Sequence, residues 1–222
     1  VTEEFKIKSP SDNFAYPLHM PIPIRTTVDG NTEVWKKVTW TLNGNPWKPE
    51  TENPLVNFLT VKEGEWTLNG ELRLQENGSE VVLHDQVKFT VKPVTIELSP
   101  ARKVVSPPTQ VVPLTLTVKL GEVEIKSLTQ VIDWATGTMK AQVQRIDWKG
   151  FSAPNAEAPL VVNNPPLSAD AKLEKEGPIT VLATVTVHIW SVDPRKPYDE
   201  VFSFPAARAD LWSVSPPPLA AL

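Results

Sequence analysis

Eight tryptophans carry most of the chemistry this chain has to offer. An indole presents a flat apolar face and one N–H donor, which suits stacking on a sugar ring or anchoring a protein partner. Trp47, between Pro46 and Lys48-Pro49, and Trp212, close to the C-terminal end, stand in loop-like contexts. They are the candidate binding residues, together with Phe151 at the start of a stretch rich in Pro, Asn and Ala. Trp40, Trp66, Trp134, Trp148 and Trp190 lie on or beside apolar strand faces and are assigned to the core, while Trp35, ahead of Lys36-Lys37, fits either role. The competing assignment for Trp47 and Trp212 is as plugs over the ends of the fold.

Three histidines, His19, His84 and His188, sit in separate segments with no His-x-His or His-x3-His spacing, so no metal centre and no cofactor is expected. His188 falls on the polar side of the alternating run 184–190 and reads as a solvated strand residue. Asp133 and Asp147 come nearest to a catalytic pair, each inside an Ile-Asp-Trp triplet. Two carboxylates flanking a bond would suit glycoside hydrolysis. In both triplets, though, Ile and Trp point to one face and Asp to the other, the pattern of a half-buried strand. The aspartates are therefore read as solvated, no catalytic residue is assigned, and the chain is not expected to be an enzyme. The sequence has no Gly-x-Ser-x-Gly elbow and no phosphate-cradling glycine loop. It also has no cysteine, which removes disulfides, thiolate nucleophiles and Cys-based zinc sites. Ser11-Asp12-Asn13 and Asp29-Gly30-Asn31 gather oxygens of the kind calcium takes, but turn chemistry accounts for them. Asn77-Gly78-Ser79 is formally a glycosylation sequon and equally a plain turn.

The elements around these residues read as short strands. Phe5 and Ile7 alternate ahead of the turn cluster Ser9-Pro10-Ser11-Asp12, and residues 20–28 alternate up to Asp29-Gly30. Residues 34–42 put Val38, Trp40 and Leu42 on one face and end at Asn43-Gly44, a hairpin signal. Trp66, Leu68, Leu72 and Leu74 share a face in 65–75; Asn77-Gly78 then turns the chain into 81–91. Nowhere does a 3.6-residue apolar period last three turns, so no substantial helix is expected. Twenty-three prolines against nine glycines fall mainly between the apolar runs, as in short strands joined by stiff loops.

At 222 residues, 41% apolar and 22% charged, the chain suits one large domain or two of ordinary size. Its net charge of −4 is spread over both halves: 10 basic against 13 acidic residues up to Pro93, and 12 against 13 beyond it. Neither half has the basic excess of a nucleic-acid binder. No apolar run approaches the roughly 18–20 residues that span a bilayer. The chain starts at Val1 with neither a signal peptide nor an initiator Met, and is expected to be a mature or excised segment.

One β unit occurs twice. Lys62-Glu63-Gly64-Glu65-Trp66-Thr67-Leu68 and Lys175-Glu176-Gly177-Pro178-Ile179-Thr180-Val181 lie 113 positions apart. Ser9-Pro10 returns as Ser99-Pro100 at an offset of 90, and Val38-Thr39-Trp40 as Ile146-Asp147-Trp148 at 108. Phe89-Thr90-Val91 faces Phe202-Ser203-Phe204 at 113. The growing offset places insertions around 121–138, as an added hairpin, and in 151–166.

Phe5-x-Ile7-x-Ser9-Pro10-Ser11-Asp12, Val38 to Gly44, Gly64 to Leu68 and Val87-x-Phe89-x-Val91 together resemble a bacterial immunoglobulin-like or fibronectin-III-like domain of secreted or cell-surface proteins. The expected fold is all-β: two tandem immunoglobulin-like β-sandwiches, residues 1–93 and 94–204, followed by a proline-rich C-terminal extension, 205–222. The resemblance implies a non-catalytic, extracytoplasmic spacer or protein-interaction segment of a larger protein, with a protein or cell-surface component as partner. One alternative is a carbohydrate-binding module using loop tryptophans. Another is a periplasmic pilus-type chaperone, since two such domains in about 220 residues match its size; that family's cationic cleft pair has no counterpart here.

Overall fold

The computed structural model describes residues 4–106, 110–135, 137–152 and 156–215. The chain is all-β apart from single helical turns, and it divides into two compact units, Val1–Pro93 and Val94–Leu222.

The first unit runs β1 (Ile7–Ser9), β2 (Phe14–Pro17), β3 (Ile22–Pro23), β4 (Arg25–Thr26), α1 (Thr32–Trp35), β5 (Val38–Leu42), β6 (Asn45–Trp47), β7 (Phe58–Leu59), β8 (Gly64–Glu76) and β9 (Ser79–Lys92). One layer is a sheet of order β2-β9-β8-β5-β6; the other consists of the short pairs β1 with β4 and β3 with β7. Alternation decides what lies between the layers. Leu68, Gly70 and Leu72 of β8 and Val87, Phe89 and Val91 of β9 point inward and are buried, with Phe5, Ile22, Ile24 and Leu59 from the other layer. Asn77 and Gly78, both at positive φ, make the tight turn between β8 and β9. The strand expected over 34–42 starts late. Asn31 accepts from the Val34 N–H and caps one helical turn, which buries Trp35 before β5 begins.

The second unit runs β10 (Val94–Ser99), β11 (Arg102–Val105), β12 (Gln110–Leu120), β13 (Val123–Glu124), β14 (Val131–Ala135), β15 (Met139–Ser152), β16 (Ala156–Glu157), β17 (Leu160–Val162), β18 (Ser168–Leu173), β19 (Gly177–Ser191), β20 (Asp199–Ser203) and β21 (Ala207–Ser213). Its two sheets have the orders β10-β12-β18-β17 and β11-β21-β19-β15-β14. Inward positions form an aliphatic core, from Val112 to Leu120 on β12 and from Ile179 to Ile189 on β19. A bulge between Val143 and Arg145 resets the alternation of β15, so that Met139, Ala141, Val143 and Ile146 are all buried. These paired sheets make each unit an immunoglobulin-like sandwich.

The two copies superpose by register. Trp40 lies across from Gly70 and Trp148 across from Ala183, offsets of 108 and 113. Gly64 and Gly177 open β8 and β19 at φ of 129° and 128°, a backbone angle that glycine alone adopts freely. The final strand departs from expectation. Val91 pairs with Gly64, and Ser213, not Phe204, pairs with Gly177, so the last strands correspond at an offset of 122. The extra nine positions arise because the strand that is continuous as β9 is split into β20 and β21 around Phe204-Pro205-Ala206. Proline cannot donate to the ladder, and the strand breaks there. The segment expected as an extension from 205 therefore starts with a core strand, β21, which buries Ala209 and Leu211. The Pro216-Pro217-Pro218 run lies outside the described residues.

Candidate functional site

Trp212 and Phe151 stand on the same sheet face, two strands and one row apart, and Phe151 does not line the depression at Trp212. Both sit on the outer face of the β11-β21-β19-β15-β14 sheet, and Trp212 belongs to a regular strand and not to a loop. Cross-strand register sets out the neighbours in rows. Val104, Trp212 and Pro178 form one row; Arg102, Asp210, Thr180 and Phe151 form the next; Arg208, Leu182 and Lys149 form a third. Val104 is 67% exposed and Trp212 48% exposed, so a β-branched side chain and an indole lie uncovered side by side. They floor an open, largely apolar depression of about 380 Å³, rimmed by Arg102, Lys103, Arg208 and Asp210.

The polar rim is set in place. Arg208 Nε donates to Asp210 Oδ1 at 3.0 Å and Oδ2 at 3.1 Å, and Thr180 Oγ1 donates to Oδ1 at 3.2 Å. The hydrogen bond from Arg208 holds the Asp210 carboxyl below its ordinary value, and Asp210 in turn raises the Arg208 guanidinium. Arg102, the cross-strand partner of Asp210, makes no ion pair among the described residues. Sequence reasoning missed Val104 and Arg102. The run Arg102-Lys103-Val104-Val105 is too short to show a period, and its alternation gains meaning only beside Arg208, Asp210 and Trp212.

The first copy shows what the fold itself asks of this surface. The same rows there hold Ala15, Thr90 and Glu65, then Asn13, Lys88, Thr67 and Asn43. Asn43 sits where Phe151 does: its side chain accepts from Thr67 N–H at 2.7 Å, and the chain turns at Gly44. A half-buried threonine and a buried alanine thus stand at the places where the second copy puts an exposed tryptophan and an exposed valine.

Trp47 is elsewhere. It lies on edge strand β6 of the first unit, not in a loop, and its half-buried ring meets Trp40 edge-on at 6.5 Å between centroids. It belongs to an aromatic cluster with Phe5, Trp35 and Trp40. Trp40 and Trp134 are each buried in the core of their own unit, as expected, whereas Trp66, Trp148 and Trp190 are only half-buried. Trp66 and Trp148 close the gaps with indole hydrogen bonds, to Lys62 O at 2.8 Å and Pro166 O at 2.7 Å.

The other candidates resolve into structural roles. Asp133 is paired with Lys140, and Asp147 with Arg145 at 2.7 Å. Their rows cross β19 at Trp190 and Thr184, six residues or about 20 Å apart, well beyond the reach of a two-carboxylate glycosidase. Asp12 accepts from Lys88 N–H and Asp29 from the Thr26 hydroxyl, so both turns use their carboxylates internally. No group of three metal-ligating side chains exists among the described residues. His188 is less solvated than its strand position implies: it stacks on Trp190 at 4.6 Å, and Nε2 lies 2.8 Å from Asp199 Oδ1. Among the described residues no helix is long and apolar enough to cross a membrane.

No protein-family model matches the chain, and no curated protein matches it by sequence. Solved structures do: the neighbours are tandem immunoglobulin-like or fibronectin-III-like modules. The fibronectin(III)-like modules of Clostridium thermocellum CbhA are 16% identical over 95% of this chain and 94% of theirs, with a TM-score of 0.32. A Bacteroides ovatus mixed-linkage glucan-utilisation protein, SGBP-B, solved with a mixed-linkage heptasaccharide, is 12% identical at a TM-score of 0.28; the match spans 95% of this chain and 48% of that one. The titin domains z1z2, solved with telethonin, are 8% identical over 98% of this chain and all of theirs, at 0.26. The assignment of two sandwiches rests on the strand orders and registers above, not on these overlaps.

Proposed function

We propose that this chain is a non-catalytic, extracytoplasmic binding segment of a larger secreted or surface protein, and that the outer face around Trp212 is where it contacts a cell-surface component. The observation that carries this reading is the difference between the two copies. One scaffold position holds Ala15, Thr90 and Asn13 in the first unit, and Val104, Trp212 and Arg102 in the second. Exposed indole and guanidinium groups gain nothing for folding at such a site, and they are the side chains that dominate binding energies. The first unit, on this reading, is spacer, and the second projects the face.

The test puts the first copy's residues into the second. A chain carrying Arg102→Asn, Val104→Ala and Trp212→Thr is compared with the original for retention on extracellular envelope and matrix fractions of its source. The expected result is at least tenfold weaker retention at an unchanged melting temperature. Equal retention would remove the face from the reading and leave the chain as spacer alone.

A further inference from the structure

The geometry points to an acidic saccharide, a glycan bearing uronate carboxylates, as the ligand of the Trp212 face; this rests on the binding-face reading above. Two independent features of the face combine. The first is its floor. Val104, Trp212 and Pro178 come from three adjacent strands and make a strip about 10 Å wide, at two strand spacings. The strip floors an open depression and not a closed socket, and an exposed indole is suited to the C–H face of a sugar ring.

The second feature is charge. Arg102 and Arg208 line the depression beside the strip, with Asp210 as the one carboxylate of its lining. This local cationic excess stands out on a chain of net charge −4. Arg208 is already committed to Asp210. Arg102 makes no ion pair among the described residues, so its donors remain available to an incoming carboxylate. A guanidinium takes a carboxylate through two parallel hydrogen bonds, and Arg102 is placed one row from the indole to do so while the ring lies on Trp212. Asp210, fixed by Arg208 and Thr180, offers acceptor lone pairs to ring hydroxyls at the same time. A neutral glycan would leave Arg102 unused. A peptide of acidic residues alone, such as oligoglutamate, would satisfy Arg102 but would have no ring to cover the strip.

Isothermal titration of the whole chain with oligogalacturonate, a neutral cello-oligosaccharide and oligoglutamate separates these cases. The expected result is preferential binding of oligogalacturonate, weakened at least tenfold by Trp212→Thr and at least fivefold by Arg102→Gln, with melting temperatures unchanged. Val104→Ala, which only shortens the floor, serves as a second variant and is expected to weaken binding about threefold. Equal affinity for the neutral oligosaccharide would overturn the acidic class. Equal affinity for oligoglutamate, insensitive to Trp212→Thr, would overturn the saccharide. No binding of oligogalacturonate, with face-dependent retention on envelope fractions intact, would sink this inference and leave the binding-face reading standing. Loss of face dependence in both assays would remove both.

Discussion

Gly70 shows how much one missing methyl group decides in this protein. A Cβ at that position would come within 2.8–3.0 Å of the Phe5 ring and Trp40, so glycine is what lets Trp40 sink into the first core. The second copy has Ala183 there, and its tryptophan, Trp148, stays half-buried and ties its indole N–H to Pro166 instead. Gly70→Ala is therefore expected to destabilise the first unit by about 1–3 kcal/mol through overpacking, read from its denaturant midpoint. Asn57 is a second such residue. Fully buried, it donates to Thr51 O at 3.0 Å and Asn53 O at 2.7 Å and accepts from Thr51 N–H, holding the loop that carries Leu55, Val56 and Phe58 outward. Asn57→Ala strands those groups and is expected to cost about 1–3 kcal/mol in the same measurement. At the face, the Asp210 carboxyl is expected to titrate below the ordinary aspartate value, and Arg208→Gln to bring it back up, followed by side-chain NMR. A carboxyl lowered on folding adds stability above its unfolded value and loses it as pH falls through the folded one. The pair is exposed, so its role is to keep Asp210 an acceptor in acid rather than to hold the fold.

Strands explain which parts of this molecule were legible beforehand. Period-2 alternation is a local signal, and it correctly separated Leu68 and Leu72 from their polar neighbours. The correspondence of Trp40 with Trp148 was legible too, because Val38-Thr39-Trp40 and Ile146-Asp147-Trp148 share a local pattern, although the spacing to their partners on β8 and β19 differs by five residues. What stayed hidden depends on partners distant in the chain. Phe202-Ser203-Phe204 looks like Phe89-Thr90-Val91, yet only the ladder on Gly177 shows that Leu211 and Ser213 hold the equivalent places. The same blindness put Trp47 and Trp212 into loops, since flanking prolines and a nearby chain end are turn-like whatever sheet lies beside them. A consequence follows for β21. It covers the first half of β19 from Gly177 to Ala183 and brings Ala209 and Leu211 into the core. A chain ending at Pro205 is expected to lose the cooperative unfolding transition of the second unit while keeping that of the first, seen by circular dichroism and calorimetry.

At the scale of the whole molecule, each unit carries its own buried core, and a short Lys92-Pro93-Val94 segment joins them. Fragments 1–93 and 94–215 are expected to fold separately, each with a two-state melt; a fragment that melts without cooperativity would show that its core depends on the other unit. The duplication leaves the two copies with different side chains on matching strands, Ala15 and Thr90 in the first and Val104 and Trp212 in the second. A last consequence lies in two parallel pairings. In the first unit β2 runs parallel to β9, and in the second β11 runs parallel to β21; each joins an early strand to the last described strand of its own unit. A pull on the two ends of either unit drags those neighbours in opposite directions along their length. The hydrogen bonds between them are then loaded in shear, all together, and cannot be peeled apart one at a time. Each unit is thereby built to bear tension applied along these strands.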